Sequence, residues 1–261
     1  MRALLIAAVT SLPAALQGQA APPPLRPPAS SVEVGGFYQH VSHDFGSWTG
    51  GYGRLVLAGS RDVWYADAKV QEAFRDRGVY GGFANVHHFG DRVFTQIGIG
   101  AGSGKYVLPK FRGDAAVTLK LFNRHALLLT AGGTWVKSKS VYTDKALVGS
   151  LAWYAGPYAL LELGGRLNWS NPGSVRSERV SGALTLGRPG GLVLTLRGGA
   201  GTEGYQLTGA TVTLQRFRSQ EAGATLHTWL SRSFGVVEGA EWYHNPFYTR
   251  AGGSLGLFYA W

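Results

Sequence analysis

Apolar and polar side chains alternate at every second residue along most of this chain, and this alternation limits its possible folds more than any other feature. It is clearest at residues 64–70, 117–121, 161–169 and 192–197. Because successive side chains of an extended strand point to opposite faces, each alternating set occupies one face of a strand. The pattern predicts an all-β chain with many strands.

Turn sequences divide these strands at regular intervals. Short ones occupy residues 58–62, 89–93, 122–126, 154–158, 187–191 and 230–234. Longer and more polar connections are centred on residues 45, 76, 108, 141, 173, 209 and 247. Each interval holds two strands of about 11 to 13 residues, close to the length that crosses a bilayer. Short turns on one side and long loops on the other are typical of outer-membrane barrels.

We therefore predict a transmembrane antiparallel up-and-down β-barrel of about fourteen strands, with short periplasmic turns and longer outer loops. Twelve strands is the alternative, because the polar stretch at residues 201–220 makes the hairpin count uncertain there. No stretch approaches eighteen consecutive apolar residues, so helices are not expected to cross the membrane. One barrel domain is expected over residues 32–261, located in the cell outer membrane.

The ends of the chain carry export features. Residues 1–20 have a positive charge, an apolar stretch and a small-residue end, the pattern of a cleaved signal peptide. Residues 21–31 are rich in proline and are predicted to form a disordered tether. The final strand has apolar residues at alternate positions and an aromatic end, which predicts a signal recognised by the barrel assembly machinery. Its residues are Leu255, Leu257, Tyr259 and Trp261.

Aromatic residues near the predicted strand ends are expected to form an interfacial girdle. They are Trp48, Trp135, Trp153, Trp169, Trp242 and Tyr248. The chain has no cysteine, which excludes disulfides, thiolate metal sites and a cysteine nucleophile.

Several of these features together resemble the YaiO family of outer-membrane β-barrel proteins. They are the leader, the proline-rich tether, the opening strand at residues 32–43 with Trp48 and Arg54 after it, and the aromatic end. The resemblance covers residues 32–261 and implies location and fold. It implies no chemistry that can be transferred residue by residue.

Charged side chains on the polar faces of the strands are expected to face the lumen. They are Arg54, Asp67, Lys69, Lys120, Glu162, Arg166 and Arg197. A buried charge must be paired or hydrated, so these residues imply either an ion-pair network that fills the barrel or water inside it. We expect a structural or transport role, as a narrow anion-preferring pore or as an accessory to surface polysaccharide.

Basic residues dominate the predicted outer loops of a chain whose formal net charge is +10. They are Arg75, Arg77, Lys105, Lys110, Arg112, Lys137, Lys139, Lys145, Arg176, Arg179, Arg216, Arg218 and Arg250. The acidic residues there are Asp44, Asp76, Asp144, Glu178 and Glu203. Lys and Arg bind phosphates through charge-assisted hydrogen bonds, so outer-membrane lipid and lipopolysaccharide are the expected partners. No nucleic-acid partner is expected, because no docking motif is present.

Catalysis has one candidate site, His40 with Ser42, since residues two apart share a strand face. A Ser–His pair is the minimum for an outer-membrane lipid-modifying acyl hydrolase, which is the alternative function. The only local carboxylates are Glu33 and Asp44, and no nucleophile motif surrounds the serine. We therefore predict no enzymatic activity, no catalytic residues, no cofactor and no metal site.

Overall fold

The structure is a computed structural model that describes residues 30–43, 45–105, 107–122, 126–139, 141–206 and 214–261. The predicted signal peptide and most of the predicted tether lie outside the described residues. Within the described part, the chain forms fourteen strands: β1 (Ser31–Val41), β2 (Ser47–Ala58), β3 (Asp62–Ala73), β4 (Asp76–His88), β5 (Val93–Gly102), β6 (Phe111–Leu121), β7 (Leu127–Lys137), β8 (Thr143–Tyr154), β9 (Ala159–Asn171), β10 (Val175–Gly187), β11 (Leu192–Gln206), β12 (Leu214–Trp229), β13 (Phe234–His244) and β14 (Thr249–Ala260).

The strands form one closed barrel in which each strand pairs antiparallel with its neighbours in sequence. β1 closes the ring against β14, from Ser31 opposite Ala260 to Val41 opposite Arg250. Closure satisfies every strand edge, which a membrane-spanning sheet requires because lipid offers no hydrogen bonds. The predicted fourteen-stranded barrel is confirmed. The barrel already includes Ser31, the last residue assigned to the tether.

The twelve-strand alternative is wrong. The uncertain residues 201–220 belong mostly to β11 and β12, which pair from Leu192 opposite Thr228 to Gln206 opposite Leu214. These two are the longest strands of the barrel. Their polar upper halves resemble a loop in sequence because the polar residues there face both the lumen and the outer membrane surface.

The two ends of the barrel differ less in loop length than expected. The terminal end holds Ser31, Ala260 and the connections 59–61, 89–92, 122–126, 155–158, 188–191 and 230–233. The loop end holds the connections 42–46, 74–75, 103–110, 138–142, 172–174, 207–213 and 245–248. The loop end has the longest connections but also the tightest hairpin. Phe74 and Arg75 form that hairpin with φ of 52° and 60°, the twist that two-residue hairpins favour.

Large apolar side chains cover the outer wall. In β14, Leu255, Leu257 and Tyr259 of the predicted assembly signal are 61%, 48% and 49% exposed, whereas the intervening Phe258 is buried. The same alternation recurs around the barrel, so the apolar outer face contacts lipid and the other face lines the lumen. The described residues include no helix that is long and apolar enough to cross a membrane.

An apolar cluster occupies the interior at the loop end, and we call it the outer plug. Its buried members are Val41, Trp48, Ala73, Phe74, Val107, Phe217, Tyr243 and Tyr248, with Phe37, Phe45 and Phe247 packed against them. Trp48 and Tyr248 were predicted to belong to the interfacial girdle, and for these two residues the prediction is wrong. Each belongs to the inward set of its strand or loop, and only the outward aromatics Trp135, Trp153 and Trp242 are exposed.

Candidate functional site

The seven charged residues predicted for the lumen all lie on inward-facing positions of their strands. Arg54 of β2 donates from Nε to Oδ1 of Asp67 on β3 over 2.7 Å, and the two residues are direct cross-strand partners. Lys69 and Lys120 place their ammonium groups over the rings of Phe37 and Phe94, at 4.7 and 5.6 Å from the ring centres.

Three further members of the set lie on β9 and β11. Arg166 donates to Oδ1 of Asn168 over 3.4 Å, and Glu162 shares the inner face of β9 with it. Arg197 forms an ion pair with Glu241 and donates to Oγ1 of Thr225 over 3.2 Å. The structure brings Arg54 together with Asp67, but it does not join the whole set into one cluster.

A row of inward residues links β1 to β11 through the carboxylate of Glu241. In register order the row is Gln39, Gly252, Glu241, Gly223 and Arg197. Gln39 donates to one carboxylate oxygen of Glu241 over 2.7 Å, and Arg197 pairs with the other. The two strands that separate Glu241 from its partners carry glycine in this row.

Glycine at these two positions leaves space for the long side chains. A Cβ at Gly223 would lie 3.0 Å from Nε of Arg197, and a Cβ at Gly252 would lie 2.9 Å from Cγ of Gln39. Both distances are shorter than ordinary van der Waals contact. The absence of a side chain therefore lets Arg197 and Gln39 cross one strand and reach Glu241 on the next.

A second polar cluster lies nearer the loop end, between β10 and β13. Arg179 pairs with Glu203 and, at 2.9 Å, with Glu221, and it donates to Oγ of Ser219 over 2.6 Å. Tyr243, a member of the outer plug, donates to the second oxygen of Glu203 over 3.3 Å. The plug is thereby connected to the ion pairs below it.

Paired charges leave the described lumen with little net charge. Besides the pairs already given, Arg112 donates to both carboxylate oxygens of Asp114, and His227 lies 3.7 Å from Glu33. In the middle of the barrel, the side chains of Arg197 and Glu241 keep 25% and 36% of their surface exposed. This exposure indicates that water reaches the ion pairs there.

The outer plug is built from strands and loops on different sides of the lumen. Phe74 of the β3–β4 hairpin packs edge-on against Trp48 of β2 at 5.1 Å and against Tyr248 of the β13–β14 loop at 5.8 Å. The Arg250 guanidinium lies 4.1 Å from the Trp48 ring centre and 5.2 Å from that of Tyr243. Direct contact between Phe74 and Tyr248 crosses three intervening strands, so the cluster closes part of the loop end.

Asp76 holds the 103–110 loop against the plug. One carboxylate oxygen accepts the backbone N–H of Lys105 over 2.8 Å, and the other accepts that of Val107 over 2.9 Å. Asp76 is buried, and Val107 is 3% exposed within the plug. A carboxylate with two backbone donors forms strong charge-assisted hydrogen bonds, so the loop is tied to the interior.

The basic residues predicted for the outer loops divide into two groups. Arg112, Arg179 and Arg250 face the lumen, and the acidic Asp76, Asp144 and Glu203 also make interior hydrogen bonds. For these residues the assignment to solvated loops is wrong, because their positions have the inward parity of their strands or adjoining turns. Asp44 lies outside the described residues.

The candidate hydrolase pair is not assembled. His40 is exposed on the outer face of β1, and Ser42 Oγ instead lies 2.8 Å from Nδ1 of His43 and accepts the backbone N–H of Thr249 over 2.9 Å. Glu33 faces the lumen near the opposite end of β1. In the part of the chain that is described, no group of three or more His, Cys, Asp or Glu side chains is placed to hold a metal ion.

Sequence reasoning missed the lumen partners Gln39, Glu33, Glu203, Glu221 and Glu241. Strand parity could have found some of them, since Glu241 shares a face with Gly239 and Tyr243 while Glu238 lies on the lipid face. Their pairing could not have been found this way. It joins strands that are two positions apart around the barrel, and the stagger between strands sets it.

The sequence also matches a family model. The model of the YaiO membrane beta barrel domain matches residues 29–206, which include β1–β11. The chain belongs to the YaiO family. The resemblance drawn from the sequence is confirmed, although strands β12–β14 lie beyond the matched residues. Like the other barrels of this kind, the YaiO chain is located in the outer membrane. Among curated proteins, none matches it in sequence.

Solved outer-membrane barrels share the fold of this YaiO chain. The CymD monoaromatic hydrocarbon channel superposes with a TM-score of 0.63 at 7% identity, covering 90% of this chain and 89% of the channel. A bacterial polysaccharide outer membrane secretin gives 0.54 at 6%, covering 89% and 98%. The outer membrane protein Omp33 of Acinetobacter baumannii gives 0.53 at 10%, covering 90% and 100%. At these identities the likeness concerns the fold alone.

Proposed function

We propose that this barrel is an outer-membrane transport protein whose lumen is closed at the loop end in its resting state. The observation that carries the proposal is the contrast between the two levels of the interior. The ion pairs in the middle are accessible to water, whereas plug residues such as Trp48 and Tyr243 are each only 2% exposed. A hydrated middle with a closed end is the arrangement of a gated pathway rather than of a permanently open pore.

The paired lumen changes the expected selectivity. Basic composition alone predicts an anion-preferring pore, but the lumen arginines Arg54, Arg112 and Arg197 each have a carboxylate partner. Because paired charges largely cancel at the distance of a passing ion, we expect weak ion selectivity when the pathway is open. A role as an accessory to surface polysaccharide stays a prediction from the sequence.

Single-channel conductance in planar bilayers tests the proposal. The wild-type barrel should be silent or show rare brief openings, and Phe74→Ala with Tyr248→Ala should conduct, because these two side chains join the two sides of the plug. Phe122→Ala is the matched control. Phe122 also lies in a turn with positive φ, at 65°, but it is 70% exposed at the terminal end. The control should be as silent as the wild type.

Two results would count against the proposal. A wild-type barrel that conducts continuously would show that the plug does not close the lumen. Silence from both the wild type and the plug variant, with folding verified by heat-modifiable gel migration, would reject transport and favour a structural role. That role is the second candidate, since the ion pairs that cross the lumen also hold the barrel wall together.

A further inference from the structure

Basic side chains on the outer wall are concentrated on one side of the barrel at the loop end. Lys137 and Lys145 lie on the outward face of β7 and β8, and Arg176, Arg216 and Arg218 lie on the outward face of β10 and β12. We call this set the basic wall.

The basic wall has few acidic neighbours. Glu178 lies 3.4 Å from Arg176 and 3.7 Å from Arg216, and these three side chains are about half exposed, so the pairs are weak. Within the described part of the chain, no salt bridge involves Lys137 or Lys145. The opposite wall is different, because Arg77 of β4 lies directly opposite Glu72 of β3. The excess positive charge therefore belongs to β7–β12.

Register places the basic residues close enough to share one ligand. Lys137 pairs with Thr143, so Lys145 is its diagonal neighbour, at about 7 to 8 Å between Cα atoms. Lys145 and Arg176 are both direct partners of Trp169, on either side of β9. Strands are about 4.8 Å apart, so these two side chains begin about 10 Å from each other.

Aromatic and apolar side chains continue the surface towards the membrane. Trp135 is the cross-strand partner of Lys145 on β7 and is 41% exposed, so tryptophans flank that lysine on both sides. The next outward positions towards the terminal end include Leu147, Leu163 and Val180, each more than half exposed. Tryptophan at the headgroup level with aliphatic residues below it is the profile of a wall that meets lipid.

From this arrangement we propose that the basic wall binds the phosphorylated headgroup of lipopolysaccharide in the outer leaflet. The loop end faces that leaflet in barrels of this kind. Lys137, Lys145 and Arg176 would donate charge-assisted hydrogen bonds to the phosphates, while the acyl chains lie against Leu147 and Val180. The proposal concerns the outer surface and is independent of whether the lumen conducts.

The test is a titration of refolded barrel in detergent with fluorescent lipopolysaccharide, with the same lipid after phosphate removal, and with phosphatidylglycerol. The variant combines Lys137→Gln, Lys145→Gln and Arg176→Gln. Its matched control is Arg77→Gln, an exposed basic residue at the same end of the opposite wall. We expect the variant to raise the Kd about tenfold, and the control to change it less than about twofold.

Phosphate removal should weaken wild-type binding to the level of the variant. Equal binding by wild type and variant would overturn the proposal, as would tight binding of the dephosphorylated lipid. If phosphatidylglycerol binds as tightly as lipopolysaccharide, the assignment to lipopolysaccharide is wrong. Heat-modifiable migration verifies folding, and if the triple variant does not fold, Lys145→Gln alone should raise the Kd about threefold.

Discussion

The ion pair of Arg197 with Glu241 is expected to be coupled more strongly than an ion pair on the outer wall. Its side chains are 25% and 36% exposed, which places the pair between the fully exposed and the fully buried cases. Exposed pairs contribute about 0.2 to 1 kcal/mol, and breaking a buried pair costs about 3 to 5 kcal/mol. Glu241 is also fixed by Gln39 over 2.7 Å, which reduces the entropy lost on pairing. We therefore expect a coupling free energy of about 1 to 2 kcal/mol.

A double-mutant cycle measures this coupling. The variants are Arg197→Met, Glu241→Gln and their combination, and the free energy of unfolding is obtained from urea titrations of the barrel in lipid vesicles. The control cycle uses Arg176→Met and Glu178→Gln, because these outer-wall side chains are 57% and 47% exposed and 3.4 Å apart. Its coupling should stay below about 0.5 kcal/mol. Equal coupling in the two cycles would refute the argument that the lumen strengthens the pair.

Two further predictions test the features that support the interior. Gly223→Val should destabilise the barrel by about 1 to 3 kcal/mol in the same titration, because its side chain would occupy the space used by Arg197, whereas Gly81→Val on the lipid face, where a Cβ meets nothing within 4 Å, should have little effect; equal effects would contradict the role of glycine in the row. Asp76→Ala should free the 103–110 loop and speed its cleavage by trypsin, since two backbone N–H groups lose their acceptor; unchanged cleavage would show that Asp76 does not hold the loop.

The strands and most turns could be predicted because they depend on local sequence. A strand that faces lipid on one side and the lumen on the other must alternate, and residues 192–197 show this directly. The polar upper halves of β11 and β12 were harder to assign. Near the membrane surface both faces of a strand meet polar surroundings, so the alternation of Arg216, Phe217 and Arg218 no longer separates a strand from a loop.

The plug and the lumen pairs could not be predicted, because they depend on which strands meet across the barrel. Trp48 and Tyr248 are aromatic residues near strand ends, and in sequence they look like girdle residues. Parity places Trp48 inside, but only closure of the barrel brings Phe74 and Tyr248 into contact. Likewise, nothing in the sequence near Glu241 indicates that Gln39 lies beside it, since the two residues are 202 positions apart.

Closure and stability depend on different parts of this barrel, which makes a gate physically plausible. The wall is held by a continuous backbone ladder whose hydrogen bonds do not involve the plug side chains. The plug is held by apolar and aromatic contacts, and removing one buried phenylalanine from such a cluster costs about 3 to 5 kcal/mol. That cost is borne by side-chain packing at the loop end and leaves the ladder intact. Displacement of Phe74 can therefore open the loop end without unfolding the wall, and the hydrated ion pairs below it would then be in contact with the outside.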